Sequence, residues 1–340
     1  MMNDRVAYEL LAVGDGEGMK RYLSKRGWLH SGERIEDVTR AGEGNMNCTL
    51  RVRTDRRSFI AKQSRPWVEK YPSIAAPEER VLTEAMFYRA VAPLAEVAAR
   101  MPRLLDCDER NRVVLLEDLG ETADFTFAYR DGGGDLAPLH SLCRWLSALH
   151  GAPFDEETRS GLENRPMREL NHEHIFCLPL RADSGLDLDA ITPGLAQRAH
   201  LLIEHAELAE VVAELGQRYL SDGNCLLHGD FYPGSWVQSA DGVWIIDPEF
   251  CFFGPGEFDV GVLIAHLLLA GRSSQYTLGV FDHYDAPVSF SRDVALRFAG
   301  VEIMRRLIGV AQLPLDADLA DKERLLTLSQ RLILAPGDVA

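Results

Sequence analysis

Two short loops that carry carboxylates are the strongest chemical signal in this sequence. Asp230 stands in the run HGD, directly after the apolar residues 224–227, and Asp247 and Glu249 stand in DPE, directly after residues 243–246. An aspartate just past a strand end can orient a hydroxyl group or accept its proton, and two carboxylates one residue apart can bind Mg²⁺. Either loop alone could be an ordinary turn. Because both strands are predicted to lie a short hairpin apart and to end at the same edge, we interpret the pair as a phosphoryl-transfer site.

A lysine inside an apolar run is the second signal. Lys62 ends the run FIAK, which is predicted to be a strand. Such a lysine is usually a solvated edge residue, but beside a phosphoryl-transfer site it could reach nucleotide phosphates, with a helical glutamate as its ion-pair partner. We favour Glu84 because it lies in the body of the predicted helix 78–91, and Glu78 and Glu79 are the alternatives.

Two other segments could contact a nucleotide. The sequence GEGNMN at residues 42–47 precedes Lys62 and could cover phosphates with its backbone N–H groups, although a Gly-x-Gly segment is usually just a hairpin turn. The run LLEDL at residues 115–119 ends a predicted strand, where backbone groups could pair with the edge of adenine. A simple connection between domains is the alternative reading of that run.

An arginine pair lies in an otherwise apolar predicted helix. Arg305 and Arg306 are adjacent, and neighbours differ by about 100° around a helix, so at least one of them must face the interior or a cleft. Arginine suits sugar hydroxyls and phosphate. A structural ion pair with an acid such as Asp259 is equally compatible with the sequence.

Hydrophobic periodicity predicts the elements that would position these residues. After a helical start, the first part of the chain is predicted to contain a helix at 78–91 and strands at 34–39, 48–53, 58–62, 103–107 and 112–116, of which the first three form an antiparallel meander. A glycine-rich linker at 122–135 precedes predicted helices at 136–149, 192–219, 257–270, 292–313 and 318–334. Thr192 is the predicted N-cap of the second of these helices. The fold class is therefore α+β, with a nucleotide-binding domain at 1–118 and a helical domain at 119–340.

Composition narrows the possible partners. The chain has 340 residues and a formal net charge of −16, which disfavours binding to nucleic acid or to an anionic membrane. Six cysteines without a C-x-x-C pair predict reduced thiols. The longest apolar run, residues 260–270, is too short for a membrane span, and no signal peptide is visible. We expect a cytoplasmic protein that binds small molecules, and a homodimer is compatible with the sequence.

Taken together, the motifs resemble those of the aminoglycoside phosphotransferase/choline kinase superfamily, and within it those of the 5-methylthioribose kinases. The similarity covers about residues 38–120 and 165–334, and it includes IDPEFCFFGP at 246–255 and MRRLIGVA at 304–311. Most of the superfamily has a metal-binding Asn where this chain has Ser235. Methylthioribose kinases instead have Gly-Ser there and use D-x-E for metal, and this chain shares both features.

The resemblance implies a bilobal protein-kinase-like fold, with a small antiparallel-sheet N-lobe and a mainly helical C-lobe, and it implies ATP and Mg²⁺ as cofactors. Asp230 would be the catalytic base or orient the hydroxyl, with Arg305 and Arg306 near the sugar substrate. The other implied roles are metal binding by Asp247 and Glu249, and nucleotide binding by Gly44, Asn45, Asn47, Lys62, Glu84, Glu117 and Leu119.

The implied reaction is transfer of the ATP γ-phosphate to the 1-hydroxyl of methylthioribose, in methionine salvage. The chain departs from the family in its smaller length, in the short segment 271–291 and in FYP at 231–233 beside Asp230. A related kinase that acts on an aminoglycoside, an amino alcohol or another sugar is therefore the alternative, although the arginine pair argues against a cationic acceptor. A catalytically silent nucleotide-binding module is the remaining alternative, and the intact Lys62 and carboxylates argue against it.

Overall fold

The computed structural model describes residues 8–42, 44, 46–130 and 138–338. The chain divides into two units, Met1–Glu121 and Thr122–Ala340. The first is built on an antiparallel sheet and the second is mainly helical, which confirms the predicted α+β class. The predicted domain boundary between residues 118 and 119 stays a prediction.

In its described residues, the first unit combines one sheet of five strands with a two-stranded hairpin and three α-helices. Its elements are α1 (Gly16–Arg26), β1 (Ile35–Arg40), β2 (Cys48–Thr54), β3 (Ser58–Gln63), β4 (Trp67–Val68), β5 (Tyr71–Ala75), α2 (Arg80–Val91), α3 (Ala95–Ala98), β6 (Leu104–Asp108) and β7 (Val113–Glu117). The main sheet has the order β1-β2-β3-β7-β6, and all neighbouring strands are antiparallel. The predicted meander is confirmed.

Alternation of side chains explains how β3 can carry a lysine. Phe59 and Ala61 are fully buried in a core that also contains Tyr22 and Leu23 of α1. Because successive side chains of a strand point to opposite faces, Lys62 belongs to the other face of the sheet. One face of β3 therefore stabilises the fold while the other presents the lysine.

The hairpin of β4 and β5 is not indicated by the sequence pattern. Four of the five β5 side chains are exposed, and the strand contains Pro72. An exposed strand has no buried face and therefore no apolar alternation, which is the signal that sequence reading depends on.

The second unit contains five short strands and eleven α-helices in its described part. They are β8 (Ala123–Asp124), α4 (Leu139–His150), α5 (Glu156–Gly161), α6 (Arg165–His172), α7 (Leu188–Ile191), α8 (Leu195–Ile203), α9 (Ala206–Leu220), β9 (Cys225–Leu227), β10 (Trp236–Ser239), β11 (Gly242–Ile245), β12 (Phe252–Gly254), α10 (Glu257–Leu269), α11 (Ser274–Leu278), α12 (Val280–His283), α13 (Arg292–Ile308) and α14 (Leu319–Leu334).

The prediction of one long helix over 192–219 is wrong. The chain forms α8 and α9 there, and Gly194, with φ of 93°, precedes α8 in the left-handed conformation. Thr192 is therefore not an N-cap, and its hydroxyl group instead accepts a hydrogen bond from Lys322 Nζ at 2.6 Å. The prediction that α13 reaches Leu313 is also wrong, because the helix ends at Ile308.

Close contact between α10 and α13 brings His266 of α10 and Glu302 of α13 together inside the second unit. A Cβ atom on Gly261 of α10 would stand 2.6 Å from the carbonyl oxygen of Ala295 on α13, so only glycine permits this approach. All apolar residues of α10 except Leu268 are buried. Within the described residues, no helix is long and apolar enough to cross a bilayer, and all six cysteines are free thiols.

The two strands that lead into the carboxylate loops belong to different sheets. β9 pairs with β12, whereas β11 pairs with β10, which in turn pairs with β8. The expectation that both strands end at one shared edge is therefore wrong. The loops are joined by a side chain instead, since the ring Nε2 of His228 lies 3.0 Å from the carbonyl oxygen of Ile246.

Candidate active site

The backbone of the Asp230 loop is held by a buried carboxylate. Asp259, on α10, accepts hydrogen bonds from the N–H of His228 at 2.7 Å and of Gly229 at 3.0 Å. Gly229 has φ of 85°, and a Cβ atom there would stand 2.1 Å from the carbonyl oxygen of Phe250. Only glycine fits, so the turn that presents Asp230 is fixed from both sides.

Asp259 is itself supported by α4 and by the segment after α12. The Nε2 atom of His150 lies 3.2 Å from Asp259 Oδ2, and its Nδ1 lies 2.8 Å from the hydroxyl of Tyr284. All three side chains are buried. Asp259 thus positions the loop. One alternative from the sequence was that Asp259 is the ion-pair partner of the arginine pair, and this alternative is wrong.

Both arginines of the pair reach Asp230. Arg306 Nη2 lies 3.3 Å and Arg305 Nη2 3.5 Å from Asp230 Oδ1. Burial raises the pKa of Asp230, and the charges of Arg306 and Arg305 lower it, with burial the larger effect. The result is a carboxyl group with a raised pKa between two fixed guanidinium groups.

The acid that pairs with both arginines is Glu302, one turn earlier on α13. Its Oε1 accepts from Arg306 Nε at 2.8 Å, and its Oε2 accepts from Arg305 Nε. Burial raises the pKa of Glu302 and the two arginine charges lower it, and the charges prevail, so the pKa lies well below its usual range. Glu302 is not among the site residues expected from the sequence, although its spacing of three and four residues from the arginines is a readable ion-pair signal on a helix.

The second carboxylate loop is also anchored by side chains. Asp247 adopts φ of 68°, a left-handed conformation that is rare outside glycine. Asn164, which the sequence analysis missed, donates its Nδ2 to the carbonyl oxygens of Glu249 at 3.0 Å and Cys251 at 2.9 Å. Ser235 donates its hydroxyl to the carbonyl oxygen of Asp230 at 2.8 Å, so this side chain serves the Asp230 loop.

In the first unit, the predicted ion pair between Lys62 and Glu84 is confirmed. Lys62 Nζ lies 2.5 Å from Glu84 Oε2, and both side chains are almost fully buried. Of the alternative partners, Glu79 pairs instead with Arg112.

Arg80, at the start of α2, binds Met46 and Asn47 of the segment at residues 42–47, which we call the glycine-rich loop. Its Nε donates to Asn47 Oδ1 at 2.8 Å, and its Nη2 donates to the carbonyl oxygen of Met46 at 2.7 Å. Asn47 is buried, whereas Gly44 is exposed. Asn45 lies outside the described residues. Whether Gly44, Asn45 and Asn47 contact a nucleotide stays a prediction.

The segment after β7 is fixed by a side chain of β2, a strand that lies two positions away in the same sheet. Arg51 pairs with Asp118 at 2.9 Å and donates to the carbonyl oxygen of Gly120 at 2.7 Å. The N–H of Glu117 is donated to the carbonyl oxygen of Arg103 at 2.9 Å. Any main-chain contact of Glu117 to adenine would therefore be made by its carbonyl group, and Leu119 lies in the fixed segment between these anchors.

Known proteins are similar to this chain in sequence and in fold. Residues 37–291 match the model of the phosphotransferase enzyme family, and the chain belongs to that family. It is 34% identical to a methylthioribose kinase of Geobacillus kaustophilus, over 86% of this chain and 85% of that protein. It is 27% identical to a methylthioribose kinase of Exiguobacterium sibiricum, with 79% of each chain covered.

Solved structures of two phosphotransferases have the same fold. A spectinomycin phosphotransferase in complex with ADP and spectinomycin aligns with a TM-score of 0.56 at 11% identity, covering 94% of this chain and 98% of that chain. A choline kinase from Streptococcus pneumoniae aligns with a TM-score of 0.54 at 12% identity, with the same coverage. The family resemblance and the fold class predicted from the sequence are confirmed.

Proposed function

We propose that this protein is an ATP- and Mg²⁺-dependent kinase that phosphorylates a hydroxyl group of a small sugar-like acceptor, with 5-methylthioribose as the preferred one. The observation that carries the proposal is the Asp230 carboxyl group, which stands on a loop fixed by Asp259 and within 3.5 Å of two guanidinium groups. A carboxylate so placed can orient an acceptor hydroxyl, and guanidinium groups can stabilise the charge on a transferred phosphoryl group.

Asp230 would act on the acceptor proton. Burial raises its pKa, and a base is most effective when its pKa approaches the working pH. Arg305 and Arg306 would donate to phosphoryl or sugar oxygens from the side of Oδ1, because their Nη2 atoms already converge there. Charge-assisted hydrogen bonds of this kind are about twice as strong as neutral ones.

The nucleotide would be held by residues of the first unit. Lys62, fixed by Glu84, would contact the phosphates, and the glycine-rich loop would cover them. The carbonyl group of Glu117 and the N–H of Leu119 would pair with adenine. The spectinomycin phosphotransferase of the same fold was solved with ADP, which supports this assignment.

Asp247 and Glu249 would hold Mg²⁺. The donors fit, because Mg²⁺ takes one or two carboxylates and completes its shell with water and phosphate oxygens. Among the described residues, no group of three or more His, Cys, Asp or Glu side chains is placed to hold a metal ion, so such phosphate oxygens would be needed. When bound, the ion would neutralise phosphate charge. We expect Glu249→Ala to raise the Mg²⁺ concentration needed for half-maximal activity, and an unchanged requirement would remove Glu249 from the site.

The choice of acceptor rests on the relatives. Both methylthioribose kinases named above match about four-fifths or more of the chain. The Nη2 atoms of the two arginines beside Asp230 also suit sugar hydroxyl groups better than the ammonium groups of an aminoglycoside or amino alcohol.

An ADP-release assay over methylthioribose, other pentoses, aminoglycosides and choline tests the proposal. We expect the highest kcat/KM with methylthioribose. A higher value with choline or an aminoglycoside would reassign the acceptor, and no acceptor-dependent ADP release from folded protein would overturn the kinase assignment.

A further inference from the structure

We propose that Glu302 is a positioning residue for this reaction, that Tyr129 and His266 hold it in place, and that Asp230 meets the acceptor through Oδ2. The inference rests on the proposed function. Glu302, His266 and Tyr129 lie behind the arginine pair and do not themselves face the acceptor, whereas Asp230 does.

Glu302 and Asp230 bind different nitrogen atoms of the two arginines. Glu302 accepts from the Nε atom of both Arg305 and Arg306, and the Nη2 atoms of both lie within 3.5 Å of Asp230 Oδ1. A guanidinium group is planar, so fixing Nε fixes the direction of the outer nitrogens. One carboxylate thus aims two adjacent arginines at one oxygen atom.

His266 and Tyr129 fix the position of Glu302. His266 Nε2, on α10, lies 2.9 Å from Glu302 Oε1, and His266 Nδ1 lies 2.5 Å from the hydroxyl of Tyr129. An ionised carboxylate can only accept, so His266 carries its proton on Nε2 and accepts from Tyr129 on Nδ1. Burial lowers the pKa of His266 to about 4, which keeps the ring neutral. The hydrogen bonds therefore run in one direction, from Tyr129 to His266 to Glu302.

Glu302, Asp230 and the two arginines form a cluster of four charged side chains. Glu302 and Asp230 are both in contact with the two arginines, so two negative and two positive groups balance. Removing the charge of Glu302 would leave two adjacent guanidinium groups facing one carboxylate, and their mutual repulsion would loosen the arrangement. The ring of Tyr232 packs under Arg306, with the guanidinium carbon 4.8 Å from its centre, and it limits movement on that side.

The two carboxyl oxygen atoms of Asp230 have different surroundings. Both guanidinium contacts go to Oδ1 of Asp230, whereas Oδ2 receives no hydrogen bond from the part of the chain that the structure describes. The Asp230 side chain is 23% exposed. Oδ2 is therefore the atom for the acceptor hydroxyl, with the arginines beside it where the phosphoryl group arrives.

The test compares Glu302→Gln with Glu257→Gln. Glu257 is also a buried glutamate of the second unit and accepts from Arg218 at 2.9 Å and from the N–H of Ser291 at 3.1 Å, but it has no contact with Asp230. We expect Glu302→Gln to lower acceptor kcat/KM by about 10- to 100-fold, the scale of a hydrogen bond between charged groups, with the KM for ATP unchanged. Glu257→Gln should stay within about twofold of wild type at a similar loss in Tm.

A conservative variant separates positioning from packing. The amide nitrogen of glutamine can replace His266 Nε2 as a donor to Glu302, so His266→Gln should retain most of the activity and His266→Leu should lose it. The proposal would be overturned if His266→Gln and His266→Leu lost activity equally. It would also be overturned if Glu302→Gln raised the KM values for acceptor and ATP equally, or if Glu257→Gln lost as much acceptor kcat/KM as Glu302→Gln.

Nuclear magnetic resonance of the arginine Nε–H groups decides the question without activity. Slowly exchanging signals of Arg305 and Arg306 should disappear in Glu302→Gln and persist in Glu257→Gln. If they persist in Glu302→Gln, Glu302 does not position the arginines, whatever the enzyme phosphorylates. If they disappear but wild-type protein transfers no phosphate to any acceptor, the arrangement stands and only the proposed kinase function fails.

Discussion

Arg80 of the first unit and the adjacent Arg305 and Arg306 of the second unit are all buried, but they play different parts. Arg80 in the first unit is 1% exposed, and it donates to main-chain carbonyl oxygens of Met46, Arg65 and Pro77 at 2.7 Å each. Arg305 and Arg306 in the second unit are 7% and 6% exposed, but the partners of their Nε and Nη2 atoms are carboxylates.

The difference lies in the partners and not in burial. Carbonyl oxygens of the main chain are fixed by the fold, so Arg80 joins the glycine-rich loop to α2 and cannot exchange its partners. A carboxylate can share its guanidinium groups with an arriving phosphate, because both are anions of matching geometry. The acceptors of a buried arginine therefore distinguish a structural role from a functional one.

The largest effect is expected at the group that the arginine pair surrounds. Asp230→Asn should lower kcat by at least about 10²-fold, the scale of lost acid–base or orienting work, while ATP still binds. Calorimetric titration of nucleotide together with steady-state kinetics checks this. Near-normal turnover would show that the arginine pair surrounds a structural group, and the contrast with Arg80 would fail.

Paired lysine substitutions test the contrast directly. Arg80→Lys should lower the free energy of unfolding by about 3 kcal/mol, because several buried carbonyl groups lose their donor, and should leave the acceptor KM unchanged. Arg305→Lys should cost about 1 kcal/mol, since a lysine still pairs with carboxylates, yet it should lower acceptor kcat/KM. Chemical denaturation and kinetics on both proteins measure these effects. The same pattern in both variants would remove the distinction.

Dependence on pH should also separate the two arginine environments. His266 stays neutral in the folded state down to a pKa of about 4, whereas it takes up a proton below about pH 6.5 when unfolded. The unfolded state thus binds more protons between these values, and up to about 3 kcal/mol of stability is lost as the pH falls from 6.5 to 4.

Denaturation between pH 4 and 7 checks this expectation. His266→Gln should show a flatter dependence than wild type, although the carboxyl groups of Glu302 and Asp230 titrate in both proteins. Arg80→Lys should run parallel to wild type, since the carbonyl and amide partners of Arg80 named above do not titrate. Parallel curves for His266→Gln and wild type would show that His266 is not held neutral.

The smallest effect is expected for one arm of the pair. Arg306→Ala should raise the acceptor KM about tenfold, the scale of one charge-assisted hydrogen bond, and the ATP KM less. Varying each substrate at saturating levels of the other measures both constants. The opposite ranking would place the pair at the nucleotide.

Much of the fold could be read from the sequence because the main strands and helices have one buried side. The five strands of the main sheet, the pairing of the first three and α2 follow from apolar periodicity, and so does the placement of Lys62 against Glu84. The exposed β5 and the break at Gly194 were not readable. The first lacks a buried face, and the second depends on a single backbone conformation within an otherwise helical pattern.

By itself, the sequence determined which chemical groups are present: the carboxylates at 230, 247 and 249, the lysine and the arginine pair. Local patterns sufficed because each motif occupies a few consecutive residues. The tertiary structure alone shows that Asp259 of α10 holds the Asp230 loop, that His266 of α10 meets Glu302 of α13, and that the two carboxylate loops come from different sheets. The contact between His266 and Glu302 accompanies the close packing of α10 and α13 at Gly261, and contacts between residues far apart in sequence leave no periodicity to read.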